Sequence, residues 1–171
     1  MIRTLTLPAN AMVLLIGVSG SGKTAFAGRH FRSTEVLSSD QLRAMITDDP
    51  RQQSATEDAF GLLHAILEMR LGRGRLTVID ATNVEDWARG VLLAIARRRR
   101  RPAAAIVLNL PLPTCLERNA RRADGRRPPA ALRRQHRWLQ DSLPALAQEG
   151  FVMVHVLSTV EEVEFARVER T

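Results

Sequence analysis

Short apolar runs alternate with longer amphipathic segments along this chain. Five runs rich in Val, Ile and Leu have the length and continuous hydrophobicity of strands buried on both faces, and they cover residues 12–16, 35–38, 76–79, 104–110 and 151–157. Helical spacing predicts one helix that follows the first strand and its glycine-rich turn and ends at about residue 31. It predicts further helices over 41–46, 54–72, 84–99, 114–122 and 130–143. Strands that alternate with helices predict an α/β fold in three layers, with one parallel sheet covered by helices on both faces.

Polar residues mark the starts of several of these helices. Ser54 with Glu57, and Thr114 with Glu117, have the spacing of a capping box. Asn83 is the expected N-cap of the helix over 84–99. No element is predicted before residue 12, and the acidic tail after residue 158 is expected to contain a helix. In a parallel sheet the ligand lies beyond the carboxyl ends of the strands, so the residues after each strand are the candidates for chemistry.

A phosphate-binding loop follows the first strand. Residues 17–24 read G-V-S-G-S-G-K-T and match the pattern G-x4-G-K-[ST]. In this pattern backbone N–H groups surround the phosphates, the lysine reaches the β- and γ-phosphates, and the hydroxyl is a ligand of Mg²⁺. The pattern predicts a nucleoside-triphosphate site formed by Gly17, Ser19, Gly20, Ser21, Gly22, Lys23 and Thr24, without distinguishing a kinase from an ATPase or a nucleotide switch.

A carboxylate follows the second strand. Asp40 is expected to face the triphosphate, where it can accept the proton of an attacking hydroxyl. Arg43 lies about one helical turn further on and can hold either the acceptor or Asp40. The alternative is that Ser39 or Asp40 only caps the short helix over 41–46.

A second carboxylate follows the third strand. Asp80 has the position of an acid that supports Mg²⁺ directly or through a water molecule. Thr82 and Asn83 come next and are candidates for binding the acceptor. The sequence therefore predicts that Thr24 and Asp80 form a magnesium site.

Arginines dominate the segment after the fourth strand. Arg118 and Arg122 are four residues apart and share a helix face, so they can clamp a triphosphate. Gly125 and the two prolines at 128–129 predict a hinge, and residues 114–130 therefore read as a lid. The alternative is a solvated basic helix.

Composition adds a strong basic character. The 171 residues have the length of one domain, and they include 25 basic and 18 acidic residues, with Lys23 the only lysine. Residues 89–137 hold 14 arginines against Glu117 and Asp124, which predicts a polyanionic partner, a solvated face or an assembly surface. Arg97–Arg101 end a helix, where cations suit its dipole, and read as mostly solvated with a weak contact to a phosphate backbone.

Compartment and membrane association are constrained as well. A single cysteine, Cys115, excludes an internal disulfide and favours a reducing, cytoplasmic compartment. No run approaches the roughly 18 apolar residues of a membrane helix, so no membrane partner is expected.

Four motifs together resemble the kinase domain of bacterial polynucleotide kinase-phosphatases, which are RNA-repair enzymes. They are V-L-L-I-G-V-S-G-S-G-K-T, S-S-D-x2-R, D-A-T-N and E-R-N-x3-R, and the similarity covers the chain from residue 7 to the acidic tail. It implies a P-loop kinase fold with strand order 2-3-1-4-5, Mg²⁺ as cofactor, and ATP or another NTP as donor. It also implies Asp40 as general base, Arg43 at the acceptor, Lys23 and Thr24 on the phosphates, and Arg118 and Arg122 on the lid.

The resulting hypothesis is a kinase that transfers the γ-phosphate of ATP to 5′-hydroxyl ends of RNA or DNA, in a single domain over residues 1–171. Members of the resembled family continue into phosphatase and ligase domains, and the sequence leaves open whether this chain stands alone or is the N-terminal part of such an enzyme. Two alternatives remain: a P-loop kinase of a small hydroxylated metabolite, and a nucleotide-gated module that binds nucleic acid.

Overall fold

A computed structural model describes residues 3–123 and 126–171. Its strands are β1 (Thr4–Leu7), β2 (Met12–Ile16), β3 (Val36–Ser38), β4 (Thr77–Asp80), β5 (Ala103–Leu108), β6 (Met153–Leu157) and β7 (Arg167–Arg170). Its helices are α1 (Lys23–His30), α2 (Ser39–Thr47), α3 (Thr56–Gly72), α4 (Asp86–Arg98), α5 (Leu112–Ala120), α6 (Pro129–Ser142) and α7 (Val160–Phe165). Short 3₁₀ turns cover Ser33–Glu35, Gln53–Ala55 and Leu143–Gln148.

The central sheet has five parallel strands in the order β3-β4-β2-β5-β6. Counted along the chain, these are the five predicted strands in the order 2-3-1-4-5, so the predicted α/β fold and its topology are confirmed. Every residue of β2, β4 and β5 is buried, as expected for strands covered on both faces. Within the described residues, no helix combines the length and hydrophobicity needed to cross a membrane.

Two strands were not expected. β1 and β7 form a separate two-stranded parallel sheet. The sequence of β1 is Thr-Leu-Thr-Leu, and its two leucines are fully buried while Thr4 is exposed. Arg170 of β7 makes a two-point ion pair with Glu35, which fastens this sheet to the 3₁₀ turn before β3.

The structure corrects the predicted helix caps. A 3₁₀ turn precedes α3, which has no side-chain cap, so the box of Ser54 and Glu57 is wrong. α5 begins at Leu112 with Pro113 in its first turn, so the box of Thr114 and Glu117 is wrong as well. Asn83 is not the N-cap of α4, since that helix begins at Asp86. The tail does contain the expected helix, α7, which the Thr159 side chain caps.

α3 and α4 end in the same way. In each, a backbone N–H bonds five residues back, from Arg75 to Arg70 and from Arg101 to Ala96, and the preceding N–H bonds three residues back. This is the Schellman motif, whose penultimate residue has a left-handed backbone. That residue is Gly74 in α3, with φ of 68°, and Arg100 in α4, with φ of 53°. A residue with a Cβ at such a position costs about 1 kcal/mol relative to glycine.

Candidate active site

One cavity of about 1370 Å³ opens at the carboxyl edge of the sheet. The loop after β2, the start of α2, the end of β4 and the arginine-rich segment all contribute to its walls. The helices α3 and α4 form the remaining wall. Of the described residues predicted for the site, all except Gly17 and Ser21 line this cavity.

The loop over residues 17–24 curls as its sequence predicts. Gly20 has φ of 86°, and a Cβ there would lie 2.5 Å from the carbonyl oxygen of Cys115 in α5. Gly17 is similarly enclosed, because a Cβ would lie 2.6 Å from Oγ of the buried Ser21. Gly22 precedes α1, whose N-terminus therefore faces the cavity. This is the arrangement in which helix N-termini and loop N–H groups bind phosphate.

Lys23 is folded back on the loop. Its Nζ donates to the carbonyl oxygens of Gly17 at 2.8 Å and Val18 at 3.0 Å. Burial lowers the pKa of Lys23 to about 8, against opposing contributions from the carboxylates of Asp80 and Asp40. The ammonium group thus lies at the bottom of the loop within the field of both acids.

Thr24 and Asp80 are in direct contact. The Thr24 hydroxyl donates to Oδ2 of Asp80 at 2.8 Å. Asp80 is buried, and burial raises the pKa of its carboxyl. A hydroxyl and a carboxylate are the oxygen ligands that Mg²⁺ prefers, and a buried acid gains from a nearby cation. The pair fits the predicted magnesium site.

Asp40 lies at the start of α2 and is held by two arginines. Arg43, itself buried, donates to Oδ1 of Asp40 and through Nε to the Thr56 hydroxyl at 3.1 Å. Arg127 donates to the same Oδ1 at 3.2 Å. The N-cap of α2 is Ser38, whose Oγ accepts from the Gln41 N–H, so the alternative that Ser39 or Asp40 caps this helix is wrong.

The end of β4 is fastened to the phosphate-binding loop. The N–H of Gly17 donates to the Thr82 carbonyl at 2.9 Å. Asn83 has φ of 51°, and its amide donates to the carbonyls of Leu15 at 2.7 Å and Ile79 at 3.3 Å. Both Thr82 and Asn83 line the cavity, but the Asn83 amide nitrogen is committed to the strands.

A buried ion pair supports this segment from behind. Arg89 of α4 is fully buried and donates through two nitrogens to Glu149, at 2.7 and 2.6 Å. A third nitrogen donates to the Asn83 carbonyl at 3.0 Å. Sequence patterns did not single out Arg89 or Glu149.

The lid segment begins with α5 and brings three arginines to the cavity. Arg118, Arg122 and Arg127 all line it, and Nη1 of Arg118 lies 3.4 Å from the position of a Cβ on Gly22. Arg121 points away and pairs with Glu117 on the surface. The hinge expected at Gly125 lies outside the described residues.

Asn119 fixes the far end of this segment. Its buried side chain donates to the Arg127 carbonyl at 2.8 Å and accepts from the Arg127 N–H at 2.9 Å. Gln135 of α6 completes the cover, because its Oε1 accepts from the Ser19 N–H at 2.9 Å. Arg127 and Gln135 were not among the predicted site residues. The arginine count of the segment was a signal for Arg127, whereas nothing local distinguished Gln135.

The wall formed by α3 and α4 is more apolar. Phe60, His64, Trp87 and Val91 line it. Trp87 is 68% exposed at the mouth of the cavity. Burial lowers the pKa of His64. The cavity therefore has a basic side, over the phosphate-binding loop, and an aromatic side, which Glu57 and Glu85 also line.

Comparison with known protein families identifies the family of this chain. A family model described as an AAA domain matches residues 12–146, which is most of the chain. The chain belongs to this AAA domain family. A comparison with curated proteins finds no match at a significant level.

Solved structures resemble this AAA domain at low sequence identity. A putative kinase from Chloroflexus aurantiacus has a TM-score of 0.64 at 16% identity, over 90% of this chain and 87% of the other. A chain of the Pnkp1/Rnl/Hen1 RNA repair complex has a TM-score of 0.69 at 20% identity, over 82% of this chain and 46% of the other. A gluconokinase from Sinorhizobium meliloti has a TM-score of 0.54 at 18% identity, over 92% and 87%.

These similarities show the P-loop kinase fold. The AAA domain spans nearly the whole length of the two single kinases but less than half of the RNA repair chain. At these identities the acceptor is not determined by likeness, so the side chains of the cavity have to supply the argument.

Proposed function

We propose that this AAA domain is a kinase that transfers the γ-phosphate of ATP, or of another NTP, to the 5′-hydroxyl end of RNA or DNA. The observation that carries the proposal is the position of Asp40, which shares the cavity with the phosphate-binding loop and is held there by Arg43 and Arg127. A nucleotide switch has no need of an acceptor carboxylate anchored in this way.

The reaction follows from the placement of the groups. The triphosphate binds the loop N–H groups, Lys23 and the N-terminus of α1. The oxygen of the 5′-hydroxyl attacks the γ-phosphorus in line as the bond to the β–γ bridging oxygen breaks and ADP leaves. Asp40 takes the hydroxyl proton. Arg118 and Arg122 of the lid neutralise charge on the transferred group.

Thr24 and Asp80 are the residues that would hold Mg²⁺. When bound, the ion would supply positive charge to the triphosphate. The expected result of chelating divalent ions is loss of transfer.

The acceptor is proposed as a polynucleotide because two arginines lie beside Asp40. Arg43 and Arg127 both reach Asp40, and a phosphate beside the reacting hydroxyl gives these guanidiniums a second anion to bind. The aromatic side of the cavity, with Phe60 and Trp87, suits a base rather than a polyhydroxylated chain. Membership of an RNA repair enzyme with phosphatase and ligase domains is part of the same proposal, supported by the motif resemblance and by the RNA repair match.

The test is radiolabel transfer from [γ-³²P]ATP to an oligonucleotide with a 5′-hydroxyl. Asp40→Asn should abolish transfer while leaving ATP binding within about twofold. Asp58→Asn, an exposed acid on α3 outside the cavity, is the matched control and should retain full activity. Ordinary transfer by the Asp40 variant would remove Asp40 from the mechanism.

The gluconokinase match favours a second candidate, a kinase of a small hydroxylated metabolite. That enzyme is similar in length, and the match covers 92% of this chain. A panel of sugars, sugar acids and nucleosides in the same assay distinguishes the two. Turnover of one metabolite at a kcat/KM far above that of the oligonucleotide would establish the second candidate. A third possibility, a nucleotide-gated binding module, predicts ATP-dependent oligonucleotide binding without a phosphorylated product.

A further inference from the structure

Eight arginines gather at the edge of the sheet opposite the cavity. Three lie at the end of α3 and in the loop that follows it, and five lie at the end of α4 and in the loop that follows it. We call the surface formed by these eight arginines the back surface. Its members are Arg70, Arg73, Arg75, Arg97, Arg98, Arg99, Arg100 and Arg101. The two loops lead into β4 and β5, which begin level with Met12 on either side of β2. β4 and β5 run from there toward the cavity, about 15–20 Å away at the rise of a strand. The back surface is therefore separate from the catalytic cavity.

Contacts between the two loops make the back surface continuous. Arg101 donates through Nε to the Leu71 carbonyl at 2.9 Å, and its guanidinium lies 3.3 Å from the position of a Cβ on Gly74. Arg98 and Arg99 of the α4 end both pair with Glu68 of α3. The charges of both loops consequently reinforce one field.

Little of this charge is neutralised within the protein. Glu68 is the only acid that pairs with these eight arginines among residues 3–123 and 126–171. No acid in the described part of the chain pairs with four exposed members, namely Arg73, Arg75, Arg97 and Arg100. Like charges that crowd without counterions repel one another, so the surface gains from an external polyanion.

Arg100 indicates that the charge is maintained against a conformational cost. α3 and α4 end in the same Schellman geometry, and α3 uses Gly74 at the left-handed position. α4 uses Arg100 there, with φ of 53°, although glycine is the residue that fits this backbone best. The helix dipole accounts for cations in the last turn of α4, but Arg100 lies beyond that turn and needs another reason.

We infer that the back surface binds the phosphodiester backbone of a nucleic acid. Guanidinium groups match phosphates with two parallel hydrogen bonds, and an array of them follows a polymer of evenly spaced charges. A protein partner would need an apolar centre in its interface, and the segments 73–75 and 97–101 contain no apolar residue. A polynucleotide whose 5′ end enters the cavity thereby gains a second contact, at the back surface and away from the reacting end. A second strand of the nucleic acid can make the same contact.

The test measures binding of a single-stranded 20-mer that carries a 5′-phosphate, so that its end is not an acceptor. Fluorescence anisotropy from 50 to 200 mM KCl gives Kd and its salt slope. Replacing three of the exposed arginines, as Arg73→Gln, Arg75→Gln and Arg97→Gln together, should raise Kd at least about tenfold at 50 mM and reduce the slope by about 2. The matched control removes three exposed arginines elsewhere, as Arg32→Gln, Arg51→Gln and Arg167→Gln, and should change Kd by less than about threefold.

Arg100→Gly separates binding from folding. Glycine suits the left-handed backbone, so this variant should keep or raise Tm while raising Kd several-fold. Equal losses in the two triple variants would show that net charge alone matters and would overturn the inference. So would unchanged affinity in Arg100→Gly, or competition by polyglutamate as effective as that of an unlabelled oligonucleotide with the same charge.

The binding comparison does not depend on the transfer reaction. If the kinase proposed above is correct, the triple variant of the back surface should phosphorylate a 5′-hydroxyl dinucleotide at the normal rate and a 20-mer with a raised KM. Absence of phosphoryl transfer by the unmodified protein would refute the proposed function and leave the comparison of Kd values standing.

Discussion

Removing Glu149 should expose how strongly the buried ion pair supports the site. Arg89 is fully buried, and two of its nitrogens lie 2.7 and 2.6 Å from the Glu149 carboxylate. Glu149→Ala leaves this guanidinium without its counterion in the protein interior. Breaking such a pair costs about 3–5 kcal/mol of unfolding free energy, which corresponds to a fall in Tm of about 6–20 °C for a domain of this size.

The assay is thermal and urea denaturation followed by circular dichroism, with Glu117→Ala as the matched control. Glu117 pairs with Arg121 on the surface, where side chains are 61% and 77% exposed, and its loss should leave Tm nearly unchanged. The double variant Arg89→Met, Glu149→Leu should recover most of the loss, because no unpaired charge remains. Similar Tm values for Glu149→Ala and Glu117→Ala would refute the reasoning.

Three further predictions concern the loop and the lid. Gly20→Ala should abolish ATP binding in a titration, because the added Cβ would lie 2.5 Å from a carbonyl oxygen. At Gly28 an added Cβ would have no described atom within 4 Å, so Gly28→Ala should raise the free energy of unfolding by up to about 1 kcal/mol. Burial lowers the pKa of Lys23 to about 8, so between pH 8 and 10.5 the unfolded chain binds more protons at this residue than the folded chain does. The contribution of Lys23 to the free energy of unfolding should therefore rise with pH across that range, while ATP affinity falls. Lys23→Met should lack both trends in pH titrations. Asn119→Ala removes both hydrogen bonds to Arg127 and should lower kcat/KM at least tenfold in the transfer assay, and an unchanged value would remove the lid from the mechanism.

The central fold follows from the sequence because its signals are local. Continuous apolar runs identify strands that are buried on both faces, whereas the order of these strands was implied by the resemblance to a kinase family. β1 and β7 were missed because each has only four residues, which is too short to show a periodic pattern. Their burial also depends on pairing with a strand far away in the sequence, since Thr4 pairs with Arg167, 163 positions later. Strand pairing at that separation is a tertiary property.

The site shows the same division. The phosphate-binding loop, Asp40 and Asp80 each follow a strand, so their common location could be predicted from topology. Arg127 and Gln135 lie at the cavity because of the direction that the chain takes after α5. Asn119 determines this direction through two hydrogen bonds to Arg127. The capping boxes failed because Pro113 and the 3₁₀ turn before α3 start those helices elsewhere.

The Asn83 amide joins the strand that delivers the phosphate-binding loop to the strand that delivers Asp80, through the carbonyls of Leu15 and Ile79. The phosphate-binding loop and the Asp80 carboxylate are consequently held in a fixed position relative to each other. The helices α5 and α6 cover the loop from the other side, where the Gln135 side chain accepts a hydrogen bond from the Ser19 N–H and the Cys115 carbonyl lies against Gly20. For the proposed kinase we expect nucleotide exchange to require the release of the hydrogen bond between Gln135 and Ser19.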